Sequence, residues 1–91
     1  MKSHPEKLLQ KHKQLNHSER VKVTSHVQRA QDDWILNTIM IENCDVPFKY
    51  KRKKQYRNLK GRRVNLTYYP GEESVVGIEM EIMRVVRIKL A

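Results

Sequence analysis

The sequence predicts an α+β protein, with an N-terminal helix or helices followed by a small, strongly bent five-stranded antiparallel barrel. Three observations carry that expectation. The first third is mostly Lys, His, Gln, Ser and Arg, and within it Val23, Val27, Ala30 and Trp34 recur at helical spacings of four, three and four. From Ile35 the apolar period falls to two, as in a half-buried strand. Near the C-terminus Val76, Ile78, Met80, Ile82, Val86, Ile88 and Leu90 hold one even-numbered register that only Arg84 interrupts, which reads as a long strand bending near Arg84 to serve two parts of one sheet.

Taken in order, Ser3-His4-Pro5-Glu6 has the form of a capping box and opens a helix through Leu8 and Leu9 toward Leu15. That helix has little apolar area, so residues 1–17 are expected to be mobile or loosely packed, and residues 18–91 to form a single compact domain. Asn16-His17-Ser18 caps a second helix, over about 18–36, whose stripe ends on Trp34 and makes that ring a principal packing residue. Strands are expected over about 37–42 and 46–52, paired as a hairpin through Asn43-Cys44-Asp45, with Pro47 favouring an edge. A third strand over about 62–69 follows Gly61. Tyr69-Pro70-Gly71-Glu72 then reads as a type II turn, with Pro presetting the first central position and Gly supplying positive φ at the second. Strands over about 74–83 and 85–90 complete a layout of SH3-like or OB-like type.

The charge is localised. Residues 47–63, PFKYKRKKQYRNLKGRR, hold nine Lys or Arg and no carboxylate, and nine is also the formal net charge of the whole protein. The ten other basic residues are matched by the ten acidic ones, so the surplus sits in this segment. Phe48, Tyr50 and Tyr56 interleave with the cations, the combination that phosphate neutralisation and stacking on unpaired bases require. Candidate nucleic-acid-binding residues are therefore Lys49, Tyr50, Lys51, Arg52, Lys53, Lys54, Tyr56, Arg57, Lys60, Arg62 and Arg63. The competing reading of Phe48 and Tyr50 is burial in the core; the positive strip survives either way.

Other chemistry is poorly supplied. The single cysteine, Cys44, has no partner for an internal disulfide, and its neighbour Asp45 disfavours a thiolate. With no signal-type apolar stretch and no run long enough to span a bilayer, the sequence points to the cytoplasm and away from membranes. His4, His12, His17 and His26 lie outside metal-ligand spacings and have no placed nucleophile or carboxylate pair beside them. Gly61, Gly71 and Gly77 do not form a phosphate-cradling loop. The expectation is a protein that is not an enzyme and needs no cofactor or metal.

The block DVPFKYKRKKQYRNLKGRRVNLTYYP, roughly a third of the chain, is similar to the central signature of a family of small uncharacterised bacterial proteins, a resemblance that implies no activity. Leu59-Lys60-Gly61-Arg62-Arg63-Val64 also resembles the opening of the first motif of Sm-like barrels, though their second motif has no counterpart here, so this likeness bears on fold alone. Two functions follow from the charge. One is a nucleic-acid-binding module, for RNA, ribosomal RNA included, before DNA, with RNA or single-stranded DNA as partner. The other is a protein-interaction module that docks on an acidic protein surface or dimerises, using Val23, Val27 and Trp34.

Overall fold

The computed structural model describes residues 15–91, and all of its regular structure is β. Five strands, β1 (Asn16–Gln31), β2 (Trp34–Ile41), β3 (Phe48–Arg52), β4 (Arg63–Val75) and β5 (Ile78–Leu90), close into a barrel in the order β1-β2-β3-β5-β4. Neighbours run antiparallel except β3 and β5, which meet in parallel at Phe48↔Met83 and Lys49↔Arg84. The α+β expectation is thus corrected to all-β, with one parallel seam in a barrel expected to be antiparallel throughout. The helix expected from Ser3 toward Leu15 lies, up to residue 14, outside the described residues.

The helix expected over 18–36 is instead β1 and the start of β2, and the cause is visible in the register. A bulge lies between Ser18 and Val21, with Arg20 at φ 54° and its N–H bonded to Asn65 Oδ1 at 2.9 Å. A second lies between Val23 and Ser25. Each bulge inserts a residue and reverses the inside–outside phase. Inward positions consequently fall at Ser18, Val21, Val23 and His26, and of the expected helical stripe only Val23 is buried, Val27, Ala30 and Trp34 being exposed. The bends let β1 pair with β4 through its first half and with β2 through its second.

The type II turn expected at Tyr69-Pro70-Gly71-Glu72 does not form. The chain runs extended through β4, Gly71 lacks positive φ, and Tyr69, Pro70, Gly71 and Glu72 pair with Arg84, Met83, Ile82 and Glu81. Reversal comes at Val76 (φ 50°) and Gly77 (φ 78°), between the facing pair Val75 and Ile78, the two-residue geometry with both φ positive that matches strand twist. The even-numbered C-terminal face is also corrected. A bulge at Val86, opposite the Thr67/Tyr68 step, flips the phase, so Met83, Val85 and Ile88 pack on the core while Ile82 is buried on the other face of the sheet.

Val23, Ile39, Ile41, Phe48, Val64 and Leu66 fill the barrel. Tyr68 stands edge-on to Phe48 with ring centroids 4.8 Å apart, and its hydroxyl pairs with Ser18 Oγ at 2.8 Å, so the ring is held at both ends. Beyond the barrel, residues 72–81 form a two-stranded arm: Glu72 to Val75 pair only with β5, and Ile78 to Glu81 only with β4.

Candidate nucleic-acid interface

Alternation along β3 divides the basic segment between two faces of the sheet. The register sets Thr38 opposite Val27 and Lys49, and Leu36 opposite Arg29 and Lys51. These residues, with Gln31 and Trp34 one step further along, share the outer face. The inner face carries Ile39 and Phe48 in the core, then Asn37 beside Gln28 and Tyr50, then Arg52 at the barrel's open end.

Trp34, expected in the core, stands on the outer face and is 39% exposed. Lys53 Nζ lies 4.6 Å and Lys51 Nζ 5.6 Å from its ring centroid, a cation–π arrangement that holds both ammonium groups at one aromatic surface. Below Trp34 the outer face continues into a groove of about 560 Å³ between the β1–β2–β3 face and the stretch of β4 and β5 at the base of the arm that carries Tyr69, Glu73, Ile82 and Arg84. Leu36 and Ile82 contribute apolar surface to this groove, and Arg29, Lys51 and Arg84 contribute charge. The Arg84 side chain lies directly over Gly71, where a Cβ would come within 2.7 Å of its Nε, and Nη2 donates to the Glu72 carbonyl at 2.9 Å. Glycine at 71 therefore fixes the path of that guanidinium.

The eleven residues expected from the sequence have separate fates. Lys51, Arg52, Lys53, Lys54, Tyr56 and Arg57 are exposed in succession at the end of β3 and the start of the following loop. Lys49 is committed elsewhere, its ammonium paired with Glu73 Oε1 at 2.6 Å across the groove. Tyr50 is half-buried; burial pushes its phenol up while the neighbouring Arg52 charge pulls the other way, and the guanidinium carbon sits 5.6 Å from the ring centroid. Lys60 and Arg62 are exposed at the turn around Gly61. Arg63 points back to β1 and β2, donating to the Arg20 carbonyl at 2.8 Å and lying 3.4 Å from Glu42 Oε1. Sequence reasoning misses Trp34, Arg29 and Arg84 as members of this face. For Trp34 a signal exists: extending the β2–β3 hairpin back through the pairs Thr38↔Lys49 and Leu36↔Lys51 brings residue 34 level with residue 53.

The loop between β3 and β4 is laid along β1 by side chains rather than left free. Leu59 N–H donates to His26 Nδ1 at 2.9 Å, so the ring carries its proton on Nε2 and donates it to Asn37 Oδ1, also at 2.9 Å. Asn58 Nδ2 donates to the His26 carbonyl at 2.9 Å, and Gln28 Nε2 to the Tyr56 carbonyl at 2.8 Å. Gly61 and Arg62 complete the attachment through backbone bonds with Val23. His26 and Asn37 are buried, and each has its polar atoms satisfied.

Among the described residues no group of three or more His, Cys, Asp or Glu could hold a metal ion, and no helix is long and apolar enough to cross a membrane. Cys44 is a free thiol, half-buried against the core. Fold and face together define a small closed β-barrel with a basic outer face built around an accessible aromatic ring. Comparison of the chain with protein-family models, curated proteins and solved structures gives no match.

Proposed function

We propose that the protein is a non-enzymatic nucleic-acid-binding module that takes RNA or single-stranded DNA along the outer face of β2 and β3. The observation that carries this reading is Trp34, accessible on a strand and flanked by the Lys51 and Lys53 ammonium groups. An aromatic face for a base beside cations for its phosphates is the arrangement by which single strands are bound without sequence readout. The groove continues that face past Arg29 and Arg84. At the level of fold analogy, closed five-stranded barrels that bind oligonucleotides use the second and third strands and the loops at either end, here the turns at residues 32–33 and 76–77. Stiff duplex DNA would present phosphates but no unstacked base to Trp34, so a preference for single strands follows.

A gel-shift panel with single-stranded RNA, single-stranded DNA and duplex DNA, against a heparin control, tests it. Saturable binding of single strands, weakened by Trp34→Ala, is the expected result. Binding of heparin equal to that of every nucleic acid would reduce the face to a charge sink. Docking on another protein is the second reading, favoured by Val76, Ile78 and Met80 exposed on the arm; failure of all nucleic acids to bind at low salt would leave it standing.

A further inference from the structure

On the other side of β3 from the groove, at the open end of the barrel, lies a cleft of about 360 Å³. We infer that this cleft is a site for a single nucleotide, its base seated between the Tyr56 ring and the apolar floor, its phosphate held by the cations at the rim. The inference goes beyond strand binding in the groove: Asn37 and Tyr50 border both sites, but Lys49 and Lys51 line only the groove, and Arg52, Tyr56, Arg57 and Leu59 only the cleft.

Three features support the assignment. Leu59, Ile88 and Leu90 form an apolar floor, while Arg52 from β3 and Arg57 from the loop bring the cations, and no carboxylate lines the cleft. A cleft with apolar surface and cations of one sign at its rim suits a planar ring that carries negative charge, and neither an apolar ligand nor a bare anion would use both parts. Its volume falls at the small end of ligand pockets, about 300–1,000 Å³, enough for one nucleotide and not for a stack of bases. The wall is also already in place. Tyr56 is 61% exposed, yet its backbone carbonyl is held by Gln28, and Leu59, further along the same loop, is held by His26. A pre-positioned wall lowers the ordering cost of binding.

The test is an amide-resolved NMR titration of the whole protein with 5′-mononucleotides, the matching nucleosides, inorganic phosphate and a linear decanucleotide. Saturable shifts at Tyr56, Leu59 and Lys89 on adding mononucleotide are expected, with inorganic phosphate producing much smaller ones. Tyr56→Ala should weaken the mononucleotide about tenfold or more, the scale set by one base stacked on an aromatic ring. Arg52→Gln should weaken mononucleotide but not nucleoside, and because Arg52 is an exposed strand residue this variant still tests the site if the loop variant misfolds. Shifts by the mononucleotide alone mark a free nucleotide as the ligand; shifts that need the decanucleotide mark one unit of a strand, and either outcome supports the site. Equal response to inorganic phosphate, shifts confined to Trp34 and Lys51, or no saturable shift at Tyr56, Leu59 and Lys89 with any nucleotide would overturn it. A decanucleotide that leaves Trp34 and Lys51 unmoved while mononucleotides move the cleft would sink only the groove reading.

Discussion

Trp34 shows how a single side chain can change roles between sequence and structure. The residues that follow it in the chain, Ile35 and Leu36, are apolar, but across the sheet it pairs with Gln31 and its ring meets Lys51 and Lys53, and on a sheet these decide its environment. Truncating a partly exposed ring leaves no internal cavity, so Trp34→Ala is predicted to cost at most about 1 kcal/mol of stability in a urea titration. The same change should weaken single-strand binding by about 1–3 kcal/mol, read by fluorescence anisotropy of a labelled oligonucleotide. A large stability loss with affinity preserved would return Trp34 to a packing role. Asn37 should behave in the opposite way. Asn37→Ala removes the acceptor of the buried His26 Nε2–H, and a buried donor without a partner costs about 1–3 kcal/mol. Faster amide exchange at Leu59, with affinity for strands changed little, would accompany it; unchanged stability would mean that the His26 ring finds another acceptor.

Among the elements, the β4–β5 arm holds the clearest local conflict. Val76 is 96% exposed and sits at φ 50°, a left-handed conformation that β-branched residues rarely adopt. Asn tolerates that conformation and is a preferred partner of Gly in this turn, so Val76→Asn is predicted to stabilise the protein by about 1 kcal/mol, checked by thermal unfolding. No gain would mean that the exposed Val76 side chain finds compensating apolar neighbours in solution. On the acidic face of the arm, a hydrogen bond with the Glu72 carboxyl and the Glu72 charge hold the Glu79 carboxyl above the usual carboxylate range. The folded arm therefore holds this proton more tightly than the unfolded chain does. Its contribution is present in acid, below the ordinary carboxylate value, and is lost as pH rises through the raised one. Corrected amide-exchange rates across residues 73–80 should increase over that rise relative to those of the barrel, and added salt should shrink the effect. A flat profile would show that the two carboxyls do not share a proton.

For the whole molecule the important quantity is where the surplus charge goes. Six of the eleven expected residues lie in succession at one end of the barrel, Lys49 and Arg63 face carboxylates, and Arg29 and Arg84 bring charge to the groove from β1 and β5. Neutralising Lys51, Arg52, Lys53 and Lys54 together to Gln should leave the fold intact, because all four are exposed. It should reduce the slope of log affinity against log salt by about 0.7 for each phosphate of a single strand that no longer meets a cation. An unchanged slope would place the phosphates elsewhere and remove the basic segment from the interface.

The sequence by itself determined what depends on local composition: a single uncompensated basic segment, a β2–β3 hairpin around Asn43, and alternation over much of β2, β3 and the first half of β4, although β2 begins at Trp34, inside the expected helix. Tertiary structure alone decided the rest. Bulges at Arg20 and near Thr24 and Val86 reverse the side-chain phase of their strands, and because a bulge is stabilised by ladder bonds to a partner strand distant in sequence, no local period records it. That is why the even-numbered face of β5 reads as continuous, whereas Val23, Val27, Ala30 and Trp34 read as a helical stripe by spacing alone, three of the four being exposed in the barrel. The turn follows the same logic. Pro70-Gly71 has the stronger local preference, but the ladder from Val75↔Ile78 to Tyr69↔Arg84 keeps the chain extended through it and moves the reversal to Val76-Gly77. Trp34 beside Lys51 and Lys53, and Leu59 bonded to His26, likewise required strands far apart in sequence to meet, since each pairing exists only once the register that brings it together has formed.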